Sequence, residues 1–201
     1  MIKNIIFDLG GVLIDWNPRY LFTEVFESLT EMDFFLSEVC SPEWNEAQDG
    51  GRSLADGTEI LVKQHPGFER EIRLFYNEWP KMLGDAIASN VQLLNRLISM
   101  NRYGIFALTN WSAETFPIAL ERYDFLHNFE GILVSGEENL KKPDPAIYQL
   151  MLKRFELQPH STLFIDDNLR NVKAANEVGL IGIHFTDDES LQRSLSKHGV
   201  L

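Results

Sequence analysis

Ile5-Ile6-Phe7-Asp8-Leu9-Gly10-Gly11-Val12 runs an apolar stretch into a carboxylate and then a glycine turn. The stretch reads as a buried strand, with Asp8 at its carboxyl-terminal tip. A carboxylate in that place is costly to desolvate unless it is paired or used. The pattern recurs far along the chain, where Thr162-Leu163-Phe164-Ile165 is strand-like and Asp166-Asp167 closes it. If the two strands are neighbours in one sheet, their carboxylates converge on one point, and that point is a cation site.

Working outward, five short apolar runs read as buried strands: Asn4 to Phe7, Ile105 to Leu108, Ile132 to Val134, Leu163 to Ile165 and Ile181 to Phe185. Helical patterns separate the last four. Leu94, Leu97 and Ile98 share a face ahead of Ile105, and Ala146 to Phe155 and Val172 to Val178 fill later gaps. Strands alternating with helices predict an α/β fold with a doubly wound parallel sheet. Residues 16 to 84, between the first two strands, are too many for one crossover. They read as helical. Leu21, Phe22, Val25, Phe26 and Leu29 make one apolar stripe, and Thr30-Glu31-Met32-Asp33 resembles a capping box. Ile60 and Leu61, then Ile72, Phe75, Tyr76 and Trp79, suggest two more helices, broken by Pro66-Gly67. The economical division is an α/β core (1–15 plus 85–201) with a helical cap (16–84) inserted after the first strand.

The 201 residues are 44% hydrophobic, enough for one core with a small satellite. A formal net charge of −12 disfavours a nucleic-acid partner, whose phosphates need clustered Lys and Arg. One cysteine, Cys40, leaves no intrachain disulfide. No apolar run approaches the roughly 20 residues of a membrane span, and no secretory signal opens the chain, so the expected location is cytoplasmic. The five histidines form no ligand pattern; His184 is expected in the core and His65 at a helix end.

Phe7-Asp8-Leu9-Gly10-Gly11-Val12, Leu108-Thr109-Asn110, Lys142-Pro143-Asp144-Pro145 and Phe164-Ile165-Asp166-Asp167 together resemble, in order and spacing, the four motifs of the haloacid dehalogenase-like (HAD) hydrolase superfamily. The likeness is to its subfamily IA-type phosphatases with a helical cap. It implies a Rossmann-like core whose first strand is central, flanked by the second and fourth. It also implies a nucleophile at Asp8, forming an aspartyl-phosphate. Mg²⁺ would be held by Asp8, the Gly10 carbonyl and Asp167, with Asp166 acting through water. Thr109 and Asn110 offer a hydroxyl, an amide and backbone N–H groups to phosphate oxygens. Lys142, ahead of an Asp144 N-cap and a Pro145 first turn, can aim its ammonium at an anion. Lys141 is expected to face solvent. Three carboxylates, Mg²⁺ and one Lys sum to zero, so a phosphate dianion can enter; the expected partner is a small phosphorylated metabolite.

Family phosphatases usually carry a second Asp two residues after the nucleophile, as general acid to the leaving group. Here that position is Gly10. General acid–base help is typically worth about 10²–10⁴-fold, so its loss calls for a replacement or a good leaving group. Asp15 folded back over the site is one replacement, though Asp15-Trp16-Asn17-Pro18 reads more simply as a hinge turn. An anomeric sugar oxygen leaves readily, and a subgroup with the same Asp-Leu-Gly start, resembling this chain, includes sugar-1-phosphate phosphatases; a sugar phosphate is the expected substrate. The segment Trp44-Asn45-Glu46-Ala47-Gln48-Asp49-Gly50-Gly51-Arg52 reads either as a solvated loop or as a selectivity element presenting Glu46, Asp49 or Arg52. Two alternatives stay open. A metal-independent 2-haloacid dehalogenase shares the nucleophile, but Asp166-Asp167 would repel its anion. A non-catalytic phospholigand-binding or interaction protein would use Trp44 and Trp79 as exposed aromatics.

Overall fold

A computed structural model describes residues 1–201. The chain opens with β1 (Asn4–Phe7) and a short β2 (Ile14–Trp16), which pairs antiparallel with β3 (Leu83–Ala86). Then follow β4 (Gly104–Thr109), β5 (Gly131–Val134), β6 (Thr162–Asp166) and β7 (Ile181–His184). These four and β1 form one parallel sheet in the order β5-β4-β1-β6-β7, so β1 is central and flanked by β4 and β6. The expected doubly wound architecture is present.

Register explains why the strands read as unbroken apolar runs. Ile5 lies beside Ile105 and Leu163, and Phe7 beside Ala107 and Ile165. These residues enter one hydrophobic cluster, while Ile6, Phe106, Leu108 and Phe164 enter a second on the other face. A parallel sheet covered on both sides needs apolar residues at both parities. The first layer uses α6 (Ala88–Ser99) and, at the chain end, α11 (Asp188–Lys197). The second uses α9 (Pro145–Arg154) and α10 (Leu169–Glu177). The remaining core helices are α7 (Phe116–Arg122) and α8 (Ser135–Glu138). Asp144 and Asn168 accept from the first turns of α9 and α10, which fixes where the loops bearing Lys142 and Asp167 stop.

Between β2 and β3 lie α1 (Arg19–Phe22), α2 (Leu29–Phe34), α3 (Pro42–Asp49), α4 (Leu54–Gln64) and α5 (Glu69–Asn77). An aromatic cluster joins them. The Phe22 ring centroid lies 4.9 Å from that of Phe35 and 5.9 Å from that of Phe75, and Trp44 meets Phe75 edge-on at 5.1 Å. The Leu21–Leu29 stripe is not one helix. It breaks after Phe22, and the chain re-enters helix at Ser28, whose hydroxyl accepts from the Glu31 amide at 3.3 Å. The cap is therefore Ser28-x-x-Glu31, two residues ahead of Thr30. Trp44 and Trp79 are buried rather than exposed, and residues 42–49 form α3 rather than a loop.

Candidate active site

Because β1 is central, Asp8, the end of β4 and the end of β6 come together at one sheet edge. Ligand sites of open α/β sheets lie there, beyond the carboxyl ends of the strands. Asp8, Asp166 and Asp167 each offer an oxygen within 4.8 Å of the others. Lys142 is fully buried between two of them, its Nζ 2.9 Å from Asp8 Oδ1 and 2.7 Å from Asp166 Oδ2. Its third proton reaches the Leu108 carbonyl at 3.0 Å. The ammonium thus points between the carboxylates with every donor engaged, instead of outward at an anion as the sequence suggested.

Asn110 also departs from its expected place. Its Oδ1 accepts from the Lys142 amide at 2.8 Å and its Nδ2 donates to the Lys142 carbonyl at 2.9 Å, so its side chain clamps the lysine loop. Thr109 is buried at the end of β4 and is absent from the cavity wall described below. Asp166 is saturated: it accepts from Lys142, the Asn168 amide at 2.8 Å and Asn171 Nδ2 at 3.1 Å. Asp167 accepts no side-chain hydrogen bond and is open to ligands. Gly11 makes room for it. Its φ is +73°, and a Cβ there would stand 2.3 Å from Asp167 Oδ2. Gly10 differs, because a Cβ there would meet nothing within 4 Å.

Burial pushes the Asp8 carboxyl well above its ordinary range; Lys142 pulls against this, and Asp166 and Asp167 add to it. Asp167 is raised by burial and by Asp166. For Lys142, burial pulls downward, but Asp166 and Asp8 outweigh it and hold the ammonium above its usual value. Three carboxylates against one ammonium leave two negative charges uncompensated. Asn171 Oδ1, buried beside Asp166, has no hydrogen-bond partner. An all-oxygen donor set with excess negative charge and an orphan acceptor fits a hard divalent cation such as Mg²⁺.

A cavity of about 370 Å³ opens over Asp8, lined on the sheet side by Asp8, Gly10, Asn110, Lys142 and Asp167. Its opposite wall comes from residues 16–84: Asn45, Glu46 and Asp49 of α3, with Trp16, Phe75 and Trp79. Arg52 is elsewhere, bonded to Gln48 and the Trp44 carbonyl. Lys141 does not face open solvent; it pairs with Glu46 at 2.6 Å, and Arg170 reaches the same carboxylate at 2.9 Å. Asp15 sits in β2 and accepts from the Tyr20 hydroxyl, away from the cavity. His184 is partly exposed and its ring bonds the Asp167 carbonyl at 2.9 Å, so it is not a core residue. Asn171 escaped the sequence reading, although its spacing of five from Asp166 puts it on the first turn of α10.

Residues 2–179 match the model of the haloacid dehalogenase-like hydrolases, and the chain belongs to that family. It is 32% identical to the sesquiterpene phosphatase of Aspergillus oryzae over 92% of this chain and 90% of that one. It is 37% identical to a phosphoglycolate phosphatase of Nitrosospira multiformis over 89% and 80% of the two chains. Other relatives are longer proteins, of which this chain spans 36% and 38%. Among solved structures, a HAD family enzyme of Bacteroides thetaiotaomicron in complex with magnesium and inorganic phosphate superposes with a TM-score of 0.70. That likeness covers 92% of this chain and 95% of the other at 23% identity, and it concerns the fold. No helix is long and apolar enough to cross a membrane.

Proposed function

We propose that this hydrolase is a Mg²⁺-dependent phosphatase that cleaves a small phosphomonoester through an aspartyl-phosphate on Asp8. The observation that carries the reading is the meeting of Asp8, Asp166 and Asp167 around Lys142 at the mouth of one cavity. Asp8 Oδ1 is held by the Leu9 amide at 2.7 Å and by Lys142, which leaves Oδ2 as the attacking atom. Oδ2 forms a bond to phosphorus as the ester oxygen leaves; water then displaces Asp8 and releases phosphate. Lys142 keeps Asp8 oriented and charged, and Asn110 keeps Lys142 in place. When bound at Asp8, the Gly10 carbonyl and Asp167, with Asp166 behind it, Mg²⁺ supplies positive charge to the phosphoryl oxygens. Residues 16–84 act as the cap that closes over substrate bound on the core.

The favoured substrate is a sugar phosphate. Glu46 and Asn168 offer hydrogen bonds to hydroxyls, and the partly exposed Trp16 suits the C–H side of a sugar ring. The test is hydrolysis of 4-nitrophenyl phosphate with and without Mg²⁺, followed by a comparison of glucose 1-phosphate with an isoprenyl monophosphate. Removing the metal, or Asp8→Asn, should each cost about 10³-fold or more. Activity indifferent to both would overturn the mechanism. Faster cleavage of the isoprenyl ester would overturn the sugar assignment alone.

A further inference from the structure

Resting on that reading, we propose that Asp49 of α3 is the general acid and base of the reaction, donating a proton to the departing ester oxygen and later taking one from water. The core offers that oxygen no free acid to protonate it. Lys142 is engaged on three sides, and Gly10 has no side chain. Four carboxyl groups besides Asp8 and Asp166 could be considered near the cavity, and they sort by their partners. Glu46 is bound by two cations, Asp167 belongs to the acidic cluster, and Asp15 lies outside the wall. Asp49 lines the cavity, is only 9% exposed, and pairs with no cation.

It is also a built position. A chain of donors runs to it: Arg52 Nε to Gln48 Oε1 (2.6 Å), Gln48 Nε2 to the Tyr76 hydroxyl (2.7 Å), Tyr76 to Asn45 Oδ1 (2.9 Å), and Asn45 Nδ2 to Asp49 Oδ2 (3.2 Å). Each link points toward the carboxyl group, and a connected chain polarises its members. Oδ1 is left without a side-chain donor. The Asp49 carbonyl accepts from Ser135 Oγ at 2.5 Å, and that hydroxyl takes the Trp111 amide at 2.9 Å. Asp49 is thereby tied to the loops after β5 and β4 that carry the rest of the site. Burial pushes its carboxyl up to about 7; Lys141, a hydrogen bond from the Ser112 backbone and Lys142 pull it down, and Glu46 pushes it up. Near neutral pH it can therefore both give and accept a proton.

The reaction balances without any further group. In the first step the Asp8–phosphorus bond forms, the ester bond breaks, and the Asp49 proton goes to the leaving oxygen. In the second, water's oxygen bonds to phosphorus, its proton returns to Asp49, and Asp8 is released.

The test compares two esters. 4-Nitrophenolate leaves without a proton; a sugar alkoxide does not. Asp49→Asn should lower kcat/KM for a sugar or simple alkyl phosphate by about 10²-fold or more and for 4-nitrophenyl phosphate by less than about 10-fold. The unaltered protein's kcat/KM on the alkyl ester should fall above about pH 7, and Asp49→Asn should abolish that fall. Because a side chain at position 10 has open space, Gly10→Asp added to Asp49→Asn should restore alkyl-ester cleavage. Tyr76→Phe should move the basic limb upward, since it weakens donation to the carboxylate. Equal loss on both esters, or an unmoved pH profile, would overturn the assignment while leaving the Asp8 mechanism intact. Absence of Asp8-dependent cleavage of the aryl ester by the unaltered protein would overturn the phosphatase reading, and this one with it.

Discussion

Lys142 stands between Asp8 and Asp166, the lysine and Asp166 shut off from water and Asp8 exposed only at the cavity. Deleting one partner of a buried ionic arrangement costs about 3–5 kcal/mol, because the charges left behind are neither hydrated nor neutralised. In a chain of this size 1 kcal/mol moves Tm by about 2–4 °C. Lys142→Met should therefore lower Tm by roughly 6–20 °C in metal-free buffer, with activity lost. Millimolar Mg²⁺ should narrow that gap, since a cation at the cluster takes over part of the neutralisation. An unchanged Tm by calorimetry would mean that the buried pairs of Lys142 contribute nothing net to stability. At this scale the sequence was readable where chemistry sits on strand tips. Asp8, Asp166 and Asp167 end apolar runs, so their convergence needs only the strand order. The direction of Lys142 was not readable, because it depends on the Asn110 clamp across a separation of 32 residues. The burial of Asp49 depends on α3 reaching the core, which no local pattern encodes.

Besides the Asp49 carbonyl, helix α3 is held to the core by a charged clamp on Glu46. Glu46 Oε2 takes Lys141 from the loop ahead of α9, and Oε1 takes Arg170 from the first turn of α10. These are the two loops that carry Lys142 and Asp167, so the clamp ties the cavity's outer wall to the catalytic edge. Burial pushes Glu46 up, but the two cations outweigh it and hold the carboxyl below its ordinary range. Its contribution is thus present at neutral pH and is lost as pH falls through that lowered range. Partly exposed pairs stabilise by only about 0–1 kcal/mol each. Glu46→Gln should therefore barely move Tm but raise KM several-fold, and added salt should raise the unaltered protein's KM toward the same value. A KM independent of both would show that the clamp does not govern substrate retention. The elements themselves were unevenly legible. Five sheet strands stand out because burial on both faces leaves them continuously apolar. β2 and β3 do not: Ile14-Asp15-Trp16 and Leu83-Gly84-Asp85-Ala86 are short and mixed, and they are strands only because they pair with each other across the intervening helices. The Leu21–Leu29 stripe misled for a related reason. Its aromatic residues pack together whether the backbone is one helix or two, so periodicity could not see the break that Ser28 makes.

At the scale of the molecule, the main hydrophobic cluster is continuous from the sheet into residues 16–84. Ile5 and Phe7 of β1 belong to the same 39-residue cluster as Phe22, Phe35 and Phe75. A cap that shared no core with the sheet would melt on its own, whereas one continuous cluster couples the two. Phe75 is the test position, being 1% exposed and packed on Phe22, Trp44 and Trp79. Truncating a buried Phe costs about 3–5 kcal/mol, so Phe75→Ala should lower Tm by roughly 6–20 °C. Three of the four tryptophans, Trp16, Trp44 and Trp79, lie in β2 and the helical segment, so indole fluorescence reports chiefly on that region. Far-ultraviolet circular dichroism reports on the whole chain. If the coupling holds, the two signals fall together in the Phe75→Ala protein as one transition. A fluorescence transition preceding the dichroism change would separate the helical segment as an independently melting unit, and closure over the site would then be a docking equilibrium rather than part of the fold.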